Sequence, residues 1–186
     1  MPHTPSPTPS GPDSSGYDAF AMQARIMAFA WMGALVMIGV ISWFVLGTAL
    51  EPLNLSLLWA GAVLVAGLGM HRVVLQVGYA VAPLPLSASE ADNVAAARKV
   101  WTSRLIMRFA LCESIALLAL AGGFLVERGG LALALLGIVV SLALMGLHAW
   151  PSATVVGRIA DGLEAGGARS GLRQSFGHEV GPVREL

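Results

Sequence analysis

Four long stretches without charged residues constrain this chain more than any other feature of its sequence. Residues 26–50 and 52–70 contain no charged side chain, residues 109–126 contain only Glu113, and residues 129–157 again contain none. A helix of about 20 residues crosses a bilayer core about 30 Å thick. Because hydrocarbon offers no partners to the backbone groups of an open strand, each crossing should be helical. We therefore predict an all-α membrane protein with four transmembrane helices.

The overall charge supports this class and excludes others. Only 12% of the 186 residues are charged and 56% are apolar, whereas about 25% of residues are charged in ordinary soluble domains. Basic and acidic residues number 11 each, so the chain lacks the basic surplus that binding to nucleic acid requires. One cysteine can form neither an internal disulfide nor a thiolate metal cluster. We expect no nucleic-acid partner, no metal and no cofactor.

The sequence divides into a transmembrane domain, residues 19–151, and two tails. The helices are expected as two tandem hairpins at about 24–50, 53–82, 103–126 and 131–150. Residues 1–18 are rich in Pro, Ser, Thr and Gly, a composition that predicts a disordered tail. Residues 152–186 should form a cytoplasmic tail, and its first part places four apolar residues on one helical face: Val155, Val156, Ile159 and Leu163. This pattern fits either a short interfacial helix followed by disorder or a flexible tail.

Basic residues predict the orientation of the crossings. They are concentrated before the first span, between the second and third spans, and after the fourth: Arg25, Arg98, Lys99, Arg104, Arg158, Arg169, Arg173 and Arg184. The two short connections on the other side carry only Arg128. Since Lys and Arg are enriched in cytoplasmic segments, we expect a bacterial inner-membrane protein with both termini cytoplasmic.

The two predicted hairpins resemble copies of one ancestor. A shift of 80 residues aligns the sequence IMAFA, starting at Ile26, with IMRFA, starting at Ile106. A shift of 77 residues aligns His71 with His148. Chance matching among apolar residues is the alternative explanation. The copies differ at one informative position, since Glu113 in the second stands where the first has Gly33.

Glu113 is the main candidate functional residue because it is the only formal charge in residues 109–126. It follows Arg104 by nine residues, or about 13 Å along a helix. If Arg104 marks the cytoplasmic interface, Glu113 lies near the membrane midplane. An ionisable group at that depth costs about 2.5–3.5 kcal/mol on insertion scales, so it should pair, face water or bind a proton.

Three outcomes are open for Glu113. It carries an exchangeable proton, it pairs with Arg72 on the second helix, or it is a protonated hydrogen-bond donor to Ser141 that stabilises helix packing. Arg108 lies five residues away on the same helix, about 140° around it, and is a poorer partner. Arg104 and Arg108 share a helical face, and both are expected to extend to the headgroups.

Residues 104–120, RLIMRFALCESIALLAL, resemble the carboxylate helix of the c-type proteolipids of proton-translocating ATPases, in which a glutamate lies in an Ala-rich setting. The duplicated hairpin with one acid also resembles the four-helix V-type proteolipid. The chain is similar as well to uncharacterised bacterial four-helix membrane proteins that share an AL-x-E-S-x-A third helix and a fourth helix ending in His-x-x-Pro. The residues that match are Ala110, Leu111, Glu113, Ser114, Ala116, His148 and Pro151. The resemblance implies a proton-binding carboxylate at Glu113.

Two features differ from a rotor proteolipid. Helix one has only Gly33, Gly39 and Gly47 where proteolipids have a dense ladder of glycines. The basic residues also place the hairpin loops outside the cell, whereas proteolipid loops face the cytoplasm. We therefore expect a relative that keeps the helix pair rather than a rotor subunit.

The remaining polar residues have two further interpretations. His71 and His148, at one depth on two helices, have the arrangement of ligands to a b-type haem; the alternative is that both form hydrogen bonds near the interface. No catalytic motif occurs in the sequence, so we do not expect an enzyme. The enzymatic alternative is contact of Arg72, Arg108 and Glu113 with a lipid-like substrate.

The sequence thus predicts a small, non-enzymatic membrane protein whose partners are the lipid bilayer and either further copies of the chain or a larger membrane complex. In the first hypothesis, Glu113 carries a proton in an oligomeric, proteolipid-like assembly. In the second, the chain is a structural or accessory subunit without transport activity.

Overall fold

Helices make up most of the chain in the computed structural model, which describes residues 14–46, 55–126 and 128–178, and no β-strand occurs among those residues. The elements are α1 (Ser14–Leu46), α2 (Leu57–Val73) with a π-helical continuation (Val74–Gly78), α3 (Glu90–Leu125), α4 (Gly130–His148), α5 (Ala153–Glu164) and α6 (Leu172–Ser175). Four of them, α1 to α4, are long and apolar enough to cross a membrane. The predicted all-helical class with four long apolar helices is confirmed.

Two helices begin earlier than the sequence predicted. Residues 14–18, expected in the N-terminal tail, are helical, and residues 1–13 lie outside the described residues. Helix α3 begins at Glu90 instead of near residue 103. Its start is stabilised by the hydroxyl of Ser89, which accepts a hydrogen bond from the Asp92 amide at 3.2 Å, and by acidic residues in the first turn. The residues that follow Glu90 are therefore helical, although they are too polar to belong to an apolar span.

Helices α3 and α4 form a closely packed antiparallel hairpin at the centre of the bundle. Small residues permit this approach, since a Cβ at Gly137 would overlap the Cβ of Ala119. The buried hydroxyl of Ser141 on α4 also donates to the Cys112 carbonyl (2.7 Å) and accepts from the Ala116 amide (2.9 Å). Backbone groups of α3 thus hold α4 in register.

Helices α1 and α2 each pack against both members of this central pair and have no extensive contact with each other. A packed first hairpin, as the tandem arrangement would require, is not shown. The shared core of the four helices includes Ala28, Val63, Phe109 and Met145. Large apolar side chains remain exposed on the outward faces of the bundle, among them Phe29, Phe44, Leu58, Leu68, Leu118 and Phe124.

A second hydrophobic core lies at one end of the bundle. Residues 153–178, here called the C-terminal cap, cover the polar start of α3 and the start of α1. Helix α5 contributes a continuous buried face: Val155, Val156, Ile159, Ala160 and Leu163. Beyond α5 the chain stays packed, with Phe176 against Trp101 at 4.9 Å between ring centroids. The predicted helical face is thus used for packing inside the protein, and the described chain remains ordered to His178.

Contacts at this end fix the relative directions of the helices. Ala21 near the start of α1, Leu84 after α2, Trp101 in the first half of α3 and Val155 after α4 share the second core. Successive long helices therefore alternate in direction. The structure groups three segments at one end of the bundle: the start of α1, the segment between α2 and α3, and the C-terminal cap.

Candidate functional site

Polar side chains from five parts of the chain meet where the bundle joins the C-terminal cap. His71 is at the end of α2, Tyr79 directly follows the π-helix, Arg108 lies on α3, His148 ends α4 and Arg158 lies on α5. We call these five residues the polar cluster. Three helix ends and a cap helix converge here, so their side chains meet although they are far apart in sequence.

A chain of hydrogen bonds connects three members of the polar cluster. His71 Nδ1 lies 2.8 Å from His148 Nε2, and the Tyr79 hydroxyl lies 3.2 Å from His148 Nδ1. One assignment of neutral tautomers satisfies both bonds: the phenol donates to Nδ1, and Nε2–H of His148 donates to His71. His148 is only 3% exposed, so these bonds satisfy ring nitrogens that water does not reach.

The π-helical turn explains how Tyr79 reaches this position. π-helical turns often occur at functional sites because they change the direction of the following residues. The Val77 carbonyl in this turn accepts hydrogen bonds from Arg104 Nη1 at 3.2 Å and from the Ala80 amide at 3.4 Å. Gly78 is needed at the crossing with α3, because a Cβ there would lie 2.8 Å from Cγ of Arg108.

Arg108 is completely buried. Its guanidinium carbon lies 4.9 Å from the ring centroid of Tyr79 and 5.2 Å from that of Trp101. None of its three side-chain nitrogens has a hydrogen-bond partner within the described residues. A desolvated cation–π contact contributes about 2 kcal/mol, whereas burying a cation costs several kcal/mol. The two rings therefore offset only part of the cost of burying this charge.

The aromatic ring of Tyr79 is shared between two cations. Besides Arg108, the exposed Arg158 places its guanidinium carbon 5.4 Å from the ring centroid. Burial raises the pKa of Tyr79 above its ordinary value, and the positive charges of Arg108 and Arg158 oppose this effect only in part. The phenol is therefore a neutral hydrogen-bond donor over the physiological pH range.

Glu113 lies on the same helix as Arg108 but outside the polar cluster. It is half-buried, and within the described residues it forms no hydrogen bond or ion pair. Of the partners considered for it, Arg72 is exposed at the end of α2 and Arg108 faces Tyr79 and Trp101. The third, Ser141, is bonded to the backbone of α3. The structure brings none of the three to the carboxyl group.

His71 and His148, which the shift of 77 residues aligns, lie next to each other in the structure. They form a hydrogen bond and do not have the geometry of two ligands to one haem iron. Two nitrogens on opposite sides of a metal ion lie about 4 Å apart, since each bond to the metal is about 2 Å long. The nitrogens of His71 and His148 are 2.8 Å apart, which leaves no space for an iron between them. No group of three potential metal ligands occurs in the part of the chain that the structure describes.

Sequence reasoning did not identify Tyr79, Trp101 or Arg158 as site residues. It also expected Arg108 to extend to the headgroups, whereas the side chain is enclosed. The one sequence feature that could have pointed to Tyr79 is its position directly after a long apolar stretch. No protein-family model, curated protein or solved structure matches this chain.

Proposed function

We propose that this chain is a multi-pass protein of the bacterial inner membrane, similar to the c-type proteolipids, in which Glu113 accepts and releases a proton within an oligomeric assembly. The supporting observation is the carboxyl group of Glu113, which lies in the apolar part of α3 without a cation or hydrogen-bond donor beside it among the described residues. No catalytic step is assigned to the chain.

The energetics of the membrane interior favour a proton on this group. An ionised side chain at the midplane costs about 2.5–3.5 kcal/mol on insertion scales. Uptake of a proton removes most of this cost, because it is the charged form that burial disfavours.

Membrane insertion is supported by the apolar outward faces of α1 to α4 and by the length of these helices. The basic residues at the end that carries the C-terminal cap favour a cytoplasmic location for this end and for both termini. The lipid bilayer is then the first partner of the protein.

A proton acceptor for Glu113 must come from outside the chain as described. The nearest polar side chain in sequence, Ser114, uses its hydroxyl on the Leu111 carbonyl at 2.7 Å, and Ser141 is fully engaged with α3. Proton transfer therefore needs a group beyond the described residues, and we propose that a second copy or another subunit supplies it. This requirement favours a homo-oligomer or a larger membrane complex.

Labelling by a hydrophobic carbodiimide tests the proton on Glu113, because the reagent reacts with protonated carboxyls in the membrane. We expect labelling of the wild-type protein and of Glu90→Gln, which removes an exposed acid outside the apolar span. We expect no labelling of Glu113→Gln. Equal labelling of Glu113→Gln and the wild type would contradict the proposal, as would the absence of labelling in native membranes.

A structural or accessory role without transport is the second candidate. It is favoured by the tight packing of α3 and α4 beside Glu113, which offers no internal path for a proton. Proton flux into reconstituted vesicles distinguishes the two roles. The carrier role predicts flux that Glu113→Gln abolishes while assembly is intact; the accessory role predicts equal, background flux for both proteins. A ring of many copies in mild detergent supports the carrier, and a monomer or stoichiometric hetero-complex supports the accessory subunit.

A further inference from the structure

Buried hydrogen-bond donors without acceptors are concentrated around Arg108. Its Nε, Nη1 and Nη2 atoms and Nε1 of the adjacent Trp101 have no hydrogen-bond partner within the described residues. All four nitrogens can only donate. Because leaving a buried polar group unpaired is costly, the group that completes this site is a hydrogen-bond acceptor.

The charge around these donors favours an anion as the missing acceptor. Among the described residues, the ionisable groups that act on Arg108, Tyr79 and His148 include three arginines and a histidine but no carboxylate. The nearby acids of α5, Asp161 and Glu164, are both paired with Arg173. The positive charge of the site is thus not balanced by the residues that the structure describes.

The donor groups of Arg108 favour a phosphate group. A guanidinium presents several N–H groups in a fixed planar fork, which suits the spacing of phosphate oxygens. The ring contacts of Arg108 with Tyr79 and Trp101 use none of these N–H groups. Arg158, exposed above Tyr79, and the half-buried Arg104 extend the positive charge from the buried guanidinium to the surface.

We propose that Arg108, Trp101 and Arg158 bind a phosphate group at the junction of the bundle and the C-terminal cap, carried either by an anionic lipid headgroup or by a soluble phosphate. Basic pockets between membrane helices on the cytoplasmic side bind lipid headgroups in this way. The site does not involve Glu113, so its test and the test of proton binding fail independently. Only the lipid source depends on the proposed membrane location.

Native mass spectrometry of the detergent-purified protein measures binding of phosphatidylglycerol, with phosphatidylcholine as the uncharged comparison. We expect the wild type to retain phosphatidylglycerol in preference to phosphatidylcholine. Arg108→Met should weaken this binding by about tenfold or more, since hydrogen bonds to charged groups are lost. Arg25→Met removes the same charge from an exposed position on α1 and should bind as the wild type does.

Thermal unfolding separates binding from a merely structural role of Arg108. In zwitterionic detergent without phosphate, we expect Arg108→Met to unfold at the same temperature as the wild type or higher, because it removes an unpaired buried charge. Added phosphatidylglycerol or inorganic phosphate should raise the Tm of the wild type and Arg25→Met, but not that of Arg108→Met. If Arg108→Met fails to fold, Arg158→Gln, on the exposed face of α5, tests the proposal instead. We expect this variant to bind phosphatidylglycerol several-fold more weakly than the wild type does.

The two ligands identify the source of the phosphate. Stabilisation by phosphatidylglycerol alone indicates a lipid headgroup, and stabilisation by inorganic phosphate as well indicates a site for the phosphate group itself. The proposal is overturned if neither ligand stabilises the wild type, or if Arg108→Met and Arg158→Gln bind both ligands as well as Arg25→Met does.

Discussion

Arg104 and Arg108 lie one turn apart on α3, and their guanidinium groups have opposite surroundings. Arg104 is half-buried and donates to the Val77 carbonyl, whereas Arg108 is completely buried between aromatic rings. The difference arises because the rings of Tyr79 and Trp101 enclose the guanidinium of Arg108, whereas the guanidinium of Arg104 extends toward the end of the π-helix. One helical turn is therefore enough to convert a surface cation into a buried one.

The alkaline titration of Tyr79 tests how the polar cluster balances burial against positive charge. Because burial raises its pKa more than Arg108 and Arg158 lower it, tyrosinate absorbance from Tyr79 should appear above the ordinary tyrosine pKa of 10.0. The protonated phenol of Tyr79 then contributes to folding stability at pH values below this ordinary pKa. This contribution is lost as the pH rises through the raised pKa.

The sequence contains two tyrosines, which provides a matched control for this titration. Tyr79→Phe should remove the late step in absorbance, and Tyr17→Phe should leave it in place. A late step that survives in Tyr79→Phe, or a Tyr79 that ionises at or below the ordinary value, would show that the surrounding arginines outweigh burial.

At the scale of the elements, glycine positions decide how closely α3 and α4 pack. A methyl group at Gly137 would overlap Ala119, whereas a methyl group at Gly146 on the same helix has no neighbour within 4 Å. Overpacking of this kind costs about 1–3 kcal/mol. We therefore expect Gly137→Ala to lower the Tm of the purified protein and Gly146→Ala to leave it unchanged. Equal Tm values for the two variants would mean that α3 and α4 can move apart at Gly137 without loss of stability.

Individual elements differ in how well the sequence predicts them. The apolar spans of α1 to α4 follow from uncharged runs alone, because a charge inside a membrane helix is costly. The polar first part of α3 was expected to be a loop, since a count of charges does not detect a helix that is capped by Ser89 and covered by other parts of the chain. The residues of the π-helix before Tyr79 do not differ in composition from those of α2, so the sequence does not predict this turn, which the structure shows packed against α3.

Within the polar cluster, the sequence singled out His71 and His148 as a pair and Arg108 as a separate candidate. The shift of 77 residues correctly placed His71 and His148 at one depth, and the structure brings their rings together. Tyr79 and Arg158 belong to segments outside the matched positions, so no periodicity pointed to them. Their contribution depends on how the C-terminal cap folds back, which is a property of long-range contacts.

At the scale of the whole molecule, two hydrophobic cores are joined through the polar cluster. The first core holds the four long helices together, and the second fixes the C-terminal cap to the starts of α1 and α3. An anion bound at Arg108 would therefore contact both parts. This arrangement links occupation of the phosphate site to docking of the C-terminal cap, without any contact with Glu113.

The orientation of this whole assembly in the membrane can be tested from the two ends of α4. Thr154 and Arg128 are both exposed and lie beyond opposite ends of this helix, while the native Cys112 is completely buried and should give little background labelling. If α4 crosses the bilayer with the C-terminal cap inside, a membrane-impermeant maleimide should label Thr154→Cys only in inverted vesicles. It should label Arg128→Cys only from outside the cell. Labelling of both variants from one side would mean that α4 does not cross, and labelling with the two sides exchanged would place the arginine-rich end outside, contrary to the distribution of basic residues.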